Sequence, residues 1–233
     1  MTRIGRVFRY TVQAPRTENN TLICKEYLMS NYYVDFKNTT DRTWSMAVYQ
    51  TIPNSIGLDS VAWKLSTVPQ SGFSGVTWEE NYNVALAEYR QDAPLGVYYS
   101  SQAMDTNIGY EWDIVYKHGV QQLELVQALP QDLKDHILIN NKSGLEAHPG
   151  IGMAGMGSVF KRNVLSNASA QFKVTPTYWV GLFRDVQLGE VISSNVEVGP
   201  MKLSFAEGSN VATIEALRLG DSIECAITYS RRN

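Results

Sequence analysis

The chain has 233 residues, of which 44% are hydrophobic and 18% charged, with a formal net charge of −3. An apolar fraction of that size excludes wholesale disorder, and the length suffices to bury a core without staples. The 20 basic and 23 acidic residues nearly balance, leaving no basic stripe of the kind that nucleic acid requires.

Arg3, Arg6, Arg9 and Arg16 at one end and Arg231 and Arg232 at the other read as solvated charge, so no nucleic-acid partner is expected. Cys24 and Cys225 are far apart and neither has a close Cys or His neighbour. Zinc needs such clusters, so no metal and no cofactor is expected; whether the two cysteines pair stays open. The first ten residues, Met1 to Tyr10, lack the apolar stretch of a signal peptide. No apolar run approaches the ~18 residues of a spanning helix. A cytoplasmic location, or release without a classical signal peptide, is the expectation. Asn-x-Ser/Thr sequons stand at Asn19, Asn38, Asn141 and Asn167, where the same residue types also make good turns.

Residues 1–30 read as an N-terminal strand or extension, with Ile23–Ser30 ambiguous between strand and helix. Val34 and Phe36 alternate with polar residues; Asn38-Thr-Thr-Asp41 turns the chain; Trp44, Met46 and Val48 resume the alternation. That spacing predicts a hairpin. A short run, Val61, Trp63 and Leu65, stops at Pro69-Gln-Ser-Gly72. Val76, Trp78, Tyr82, Val84 and Leu86 then place a long strand with one buried face. Glu80 interrupts that face, marking a bulge, an edge or an exposed end. Further strands are predicted over 96–101, 111–117, 121–126, 136–140, 158–164, 170–174, 178–183, 190–198, 202–205, 211–217 and 223–229. Helix evidence is limited to a turn at Asp132–Asp135.

Many short strands divided by turns predict an all-β, two-sheet antiparallel β-sandwich in one domain, residues 1–233. Trp63 and Trp78 are assigned to its core. Val34-x-Phe36-x-Asn38-Thr-Thr40 echoes Ile137-x-Ile139-x-Asn141-Lys-Ser143. The echo reads either as convergent turn chemistry or as two pseudo-symmetric Greek-key halves.

Gly150-Ile-Gly-Met-Ala-Gly155 spells G-x-G-x-x-G. The dinucleotide motif needs a helix after the glycines and an acidic residue about 20 positions on. Here a strand follows, so the glycines read as a bulge or a close backbone approach. Glu111 and Asp113 are two apart on a strand and share a face. Retaining glycosidases need two carboxyls about 5 Å apart. The segment resembles the Glu-x-Asp motif of jelly-roll β-glucanases, but their second Glu is replaced by Tyr116 or Lys117. His118, His136 and His148 form no metal-binding or catalytic spacing.

The remaining signal is aromatic, with 13 Tyr, 7 Phe and 5 Trp. Outward rings can stack on sugars, sit at a lipid headgroup or bury in a subunit contact. Tyr99, Trp112 and Tyr178 are the candidate exposed ligand contacts.

Several pieces in order resemble the RhiA-like rhizosphere-expressed family of soil microbes. They are Val48-Tyr-Gln-Thr51, Ser60-Val-Ala-Trp63, Gly150–Gly155, Thr175-Pro176 with Tyr178-Trp-Val180, and Gly189-Glu-Val191. A looser likeness extends to aegerolysin- and actinoporin-type β-sandwich proteins. The resemblance implies a β-rich microbial protein and carries no site. The expected function is a soluble, non-enzymatic binding module for a glycan, a lipid surface or a protein. Two alternatives stand beside it: a carbohydrate-active hydrolase using Glu111 and Asp113, and a self-assembling structural protein forming homo-oligomers.

Overall fold

A computed structural model describes residues 31–50, 57–174, 177–192 and 196–232. The readings on residues 1–30, Cys24 and the first four arginines among them, lie outside the described residues. The strands are β1 (Asn31–Asn38), β2 (Trp44–Gln50), β3 (Asp59–Ser60), β4 (Lys64–Val68) and β5 (Phe73–Glu79). Next come β6 (Tyr82–Arg90), β7 (Val97–Asp105), β8 (Tyr110–Lys117) and β9 (Val120–Ala128). A 3-10 turn at Gln131–Leu133 lies at the predicted Asp132 turn and leads to β10 (His136–Asn141), β11 (His148–Met153), β12 (Met156–Phe160) and β13 (Ser169–Lys173). The last group is β14 (Tyr178–Phe183), β15 (Val198–Leu203), β16 (Val211–Leu219) and β17 (Ser222–Ser230).

The chain is all-β, and its strands make four sheets where two are predicted. The orders are β17-β16-β1-β5, β15-β14-β2-β4, β9-β8-β10-β13 and β7-β6-β11-β12-β3. The first two sheets share one apolar core, containing Phe36, Met46, Trp63, Trp78, Leu182 and Ile214. The other two share a second, containing Val84, Trp112, Ile114, Ile139, Ile151 and Phe172. Trp63 and Trp78 are core residues, as their strand positions suggest.

The echo at Asn38 and Asn141 marks a repeat of the whole strand plan. The buried Asn38 amide donates to the carbonyls of Arg42, Val68 and Pro69, and its Oδ1 accepts from the Thr40 amide and hydroxyl. Asn141 donates to Leu145 and Val164, and its Oδ1 accepts from the Ser143 amide and hydroxyl. Pairing repeats as well. β1 lies between antiparallel β5 and parallel β16; β10 lies between antiparallel β13 and parallel β8. β2 lies between β4 and β14; β11 lies between β12 and β6.

Residues 31–128 and 136–230 are therefore two copies of one plan, and they are interlocked. Apart from β3, each sheet takes two strands from the first copy and two from the second. The first core joins the opening strands of copy one to the closing strands of copy two; the second core joins the complementary halves.

Three sequence expectations are corrected. β1 and β2 do not form a hairpin: they belong to different sheets. The turn at Asn38 carries the chain across the core, and its residue chemistry is the same as a hairpin's. The single long strand over Val76–Leu86 is two, β5 and β6, in sheets around different cores. Glu80 and Asn81 are the crossing, with the Asn81 carbonyl and Oδ1 both accepting from the Ala154 amide. The predicted strand at 190–198 reduces, among its described residues, to isolated bridges at Glu190 and Val191 and the first residue of β15.

The glycine motif at 150–155 lies in β11 and the turn to β12. Ala154 and Gly155 both take positive φ, and the register shifts between Ile151 and Gly152. A Cβ at Gly150 or Gly157 would enter the Phe160 ring, and one at Gly152 would enter the Met156 carbonyl. The glycines serve close packing.

Candidate binding site

At one end of the first core, aromatic side chains from both sheets converge. Tyr32 and Trp78 are direct cross-strand partners on β1 and β5, and their rings stack at 5.7 Å. Tyr178, the first residue of β14, brings a ring from the opposite sheet to 5.0 Å from Trp78 and 5.8 Å from Tyr32. Phe205, just after β15, sits 4.8 Å from Tyr32 and 6.3 Å from Tyr178. Opposed inward positions at the mouth of a two-layer core place these rings together.

The rings do not seal the end. Tyr32, Tyr178 and Phe205, with the polar Glu80, Thr177, Lys202 and Ser204 and with Leu203, line a pit of about 280 Å³. Glu80 sits on its wall because the chain crosses there from β5 to β6. The Tyr32 and Tyr82 hydroxyls each donate to a Glu80 oxygen at 3.3 Å. Burial first, and the Glu80 charge second, push both phenol pKa values up, so both remain donors. Burial likewise raises Tyr178. No ion pair joins Glu80 to a Lys or Arg among the described residues. The Trp78 indole N–H is buried without a hydrogen-bond partner.

A second polar cluster closes on itself. Arg162 donates to Asp59 Oδ2 from Nε at 3.0 Å and Nη2 at 2.8 Å, and to the Tyr89 hydroxyl at 2.9 Å. Its guanidinium lies 4.0 Å from the Tyr89 ring centroid, while the Tyr98 hydroxyl donates to the same Asp59 oxygen. The arrangement ties β3 to the end of β12 and to the β6–β7 pair.

The sequence candidates fall in three places. Tyr178 lines the pit but is only 6% exposed and belongs to the first core, so the exposed contact expected there is corrected: as the first residue of β14 it faces inward. Tyr99 is an exposed residue on β7; its hydroxyl donates to Asp92 at 2.9 Å and its ring lies under Arg90. Trp112 is only 3% exposed and belongs to the second core, its indole donating to Thr106 Oγ1 at 2.9 Å. The exposed contact expected at Trp112 is therefore corrected: on β8 the odd-numbered neighbours face outward and Trp112 faces in.

Those neighbours are Glu111 and Asp113, which do share one face. The Asn140 amide bridges them, donating to Glu111 Oε1 at 2.8 Å and Asp113 Oδ1 at 3.1 Å. Gln127 donates to the other Glu111 oxygen, and Lys142 holds the other Asp113 oxygen at 2.7 Å. Each carboxylate oxygen already accepts a hydrogen bond from this chain. Among the described residues no three His, Cys, Asp or Glu side chains gather to hold a metal. No described helix is long and apolar enough to cross a membrane.

Tyr32, Glu80 and Phe205 were not singled out as contacts from sequence. Glu80 did carry a signal, as the one carboxylate on an apolar strand face.

The fold and the pit together define an all-β protein built from two interlocked copies, with an aromatic-walled opening on one of its cores. The chain belongs to the RhiA family: the family's model matches residues 29–221. It is 24% identical over 170 residues to Protein RhiA of Rhizobium leguminosarum bv. viciae, covering 70% of this chain and 73% of that protein. No solved structure matches the chain.

Proposed function

We propose that this protein is a non-enzymatic binding module and that its ligand enters the aromatic pit at Tyr32, Tyr178 and Phe205. One observation carries the reading: an open pit of about 280 Å³ walled by three aromatic rings around a carboxylate. Rings held by core packing are preorganised, so a ligand meets these walls without the cost of ordering them. The scaffold for this site is a pair of β-sandwich-like units sharing their strands. Ligand classes compatible with aromatic walls are a glycan, a lipid headgroup or a protein side chain.

The test is binding to a glycan array and to sedimenting liposomes, with wild type and Phe205→Ala in parallel. Phe205 is partly exposed and outside the buried core, so its truncation leaves the fold in place. Binding that drops about tenfold or more in Phe205→Ala supports the pit; binding indifferent to Phe205 places the contact elsewhere.

A second reading rests on the Asn140 bridge, which holds Glu111 and Asp113 side by side on an outward sheet face. It is a hydrolase of carbohydrates using those carboxyls. Hydrolysis of a β-glucan panel that disappears in Glu111→Gln would establish it, and unchanged turnover in that variant would remove it.

A further inference from the structure

We propose that a second site, a cleft against the second core and apart from the pit, binds a neutral oligosaccharide. Its walls are β6 and β7 on one side and the tip joining β8 to β9 on the other, and it encloses about 650 Å³, a volume suited to a small ligand. Tyr116 and Leu145 line it and are 51% and 52% exposed, so the Tyr116 ring is open to whatever enters. Polar groups with unspent hydrogen bonds surround that ring. Among the described residues the Tyr116 hydroxyl, the Gln122 side chain and the Glu146 carboxylate make no hydrogen bond. Gln102 Oε1 accepts from the Leu123 amide at 2.6 Å, leaving its Nε2 as a donor. His148 Nδ1 accepts from the Asn163 amide at 3.1 Å, so the ring proton sits on Nε2. Burial lowers the His148 pKa, keeping that ring a neutral donor.

The repeat shows how one wall is held. In the first copy Trp44 pairs with Val68, and its indole donates to the Thr40 hydroxyl at 3.0 Å. The matching pair in the second copy is Ala147 and Val164, so no indole stands there. The Ser143 hydroxyl takes the Gln121 amide instead, at 2.8 Å, and the same amide donates to the Glu146 carbonyl at 3.1 Å. Gln121 is thereby fixed on the cleft with its Oε1 free. Donors and acceptors thus alternate with apolar surface around one opening. A sugar has that composition: hydroxyls that both donate and accept, and C–H faces that lie on an aromatic ring. Charge narrows the class. Glu88 and Glu146 line the cleft and no Lys or Arg does, which repels phosphate, sulfate and carboxylate ligands. Arg90 already holds Glu88, so a cation would find one exposed carboxylate, a weak hold in water. Gln102 occupies the Leu123 amide on the free edge of β9, so a peptide adding as a strand would have to displace it.

The experiment titrates the full chain, by calorimetry, with cellotriose, maltotriose and laminaritriose and with the anionic trigalacturonate. At least one neutral trisaccharide should bind with a Kd of about 1 mM or tighter, and trigalacturonate at least about tenfold more weakly. Tyr116→Ala and Gln122→Ala should each weaken the neutral sugar about tenfold, while Phe205→Ala leaves it unchanged. Neither the Tyr116 nor the Gln122 side chain is hydrogen-bonded within the described chain, and thermal melts of each variant check that the fold persists. Absence of binding by every trisaccharide overturns the inference, as do equal affinities for neutral and anionic sugars or binding indifferent to Tyr116 and Gln122. Sugar binding that is lost in Phe205→Ala and kept in Tyr116→Ala also overturns it and assigns the sugar to the pit. A Thr-Val repeat peptide that binds more tightly than any of the sugars, and more tightly still in Gln102→Ala, identifies strand addition to β9 and overturns the sugar reading.

Discussion

Asn38 and Asn141 show how much of this fold rests on single side chains. Each is fully buried and satisfies backbone groups on more than one segment. Removing the amide would strand those carbonyls away from water, and each stranded group costs about 1–3 kcal/mol. Asn38→Ala and Asn141→Ala should therefore each lower stability by about 3 kcal/mol in urea titrations. Substitution by Asp should do no better, because an acceptor would face the carbonyls of Val68 and Pro69. Both asparagines sit in sequons, yet the folded chain encloses the amides that a glycan would need. At the same scale, Trp112 shows the limit of reading one strand alone. Alternation says only that it opposes Glu111 and Asp113; which side is wet depends on the other sheet laid over β8, and that sheet includes β6 and β11.

At the scale of elements, turn chemistry was legible and pairing was not. β14 runs over the predicted Tyr178–Phe183, and the glycine-rich 150–155 stretch is strand to Met153 and then the turn into β12, with a strand rather than a helix after it. Its packing gives a prediction: Gly157→Ala drives a methyl into Phe160 and should cost about 2 kcal/mol, lowering Tm by roughly 4–8 °C. Gly119→Ala makes the control, because its Cβ would meet only open space and its positive φ sets the smaller penalty. The hairpin predicted at Asn38 failed because a turn that closes a hairpin and a turn that crosses a core use the same residues. The long strand failed because period-2 alternation continues through Glu80 although the chain changes core there. Half of the pit was visible in Tyr178 and in the misplaced Glu80. Its other half, Tyr32 and Phe205, comes together only through long-range contact that alternation does not encode.

For the whole molecule, interlocking is the property that governs behaviour. A chain of two copies folded side by side would fall apart when cut between them. Here the cut separates strands that share every sheet. A protease site placed in the connection from Ala128 to His136, cleaved in the folded protein, should leave two fragments that co-elute in native chromatography and separate only in denaturant. Fragments that separate without denaturant would contradict the shared sheets. Folding should be slow for the chain's size, because the parallel pairing of β1 with β16 joins Tyr33 to Val211, and such distant contacts form late.

The parallel pairing of β1 and β16 also decides where the polypeptide enters and leaves. The Tyr33 amide donates to the Asn210 carbonyl, and the Asn210 amide donates to the Ser230 carbonyl. Entry at Asn31 and exit at Ser230 are thus neighbours on one rim, a single strand apart. Tyr229 reaches that rim too: its hydroxyl accepts from the Ser204 amide and its ring lies 6.0 Å from Phe205. The last described residues of the chain, after Ser230, therefore lie beside the aromatic opening. A fluorophore attached after Ser230 would report directly on occupancy, whereas an affinity tag or fusion partner there would crowd the opening and suppress the very binding it was added to measure.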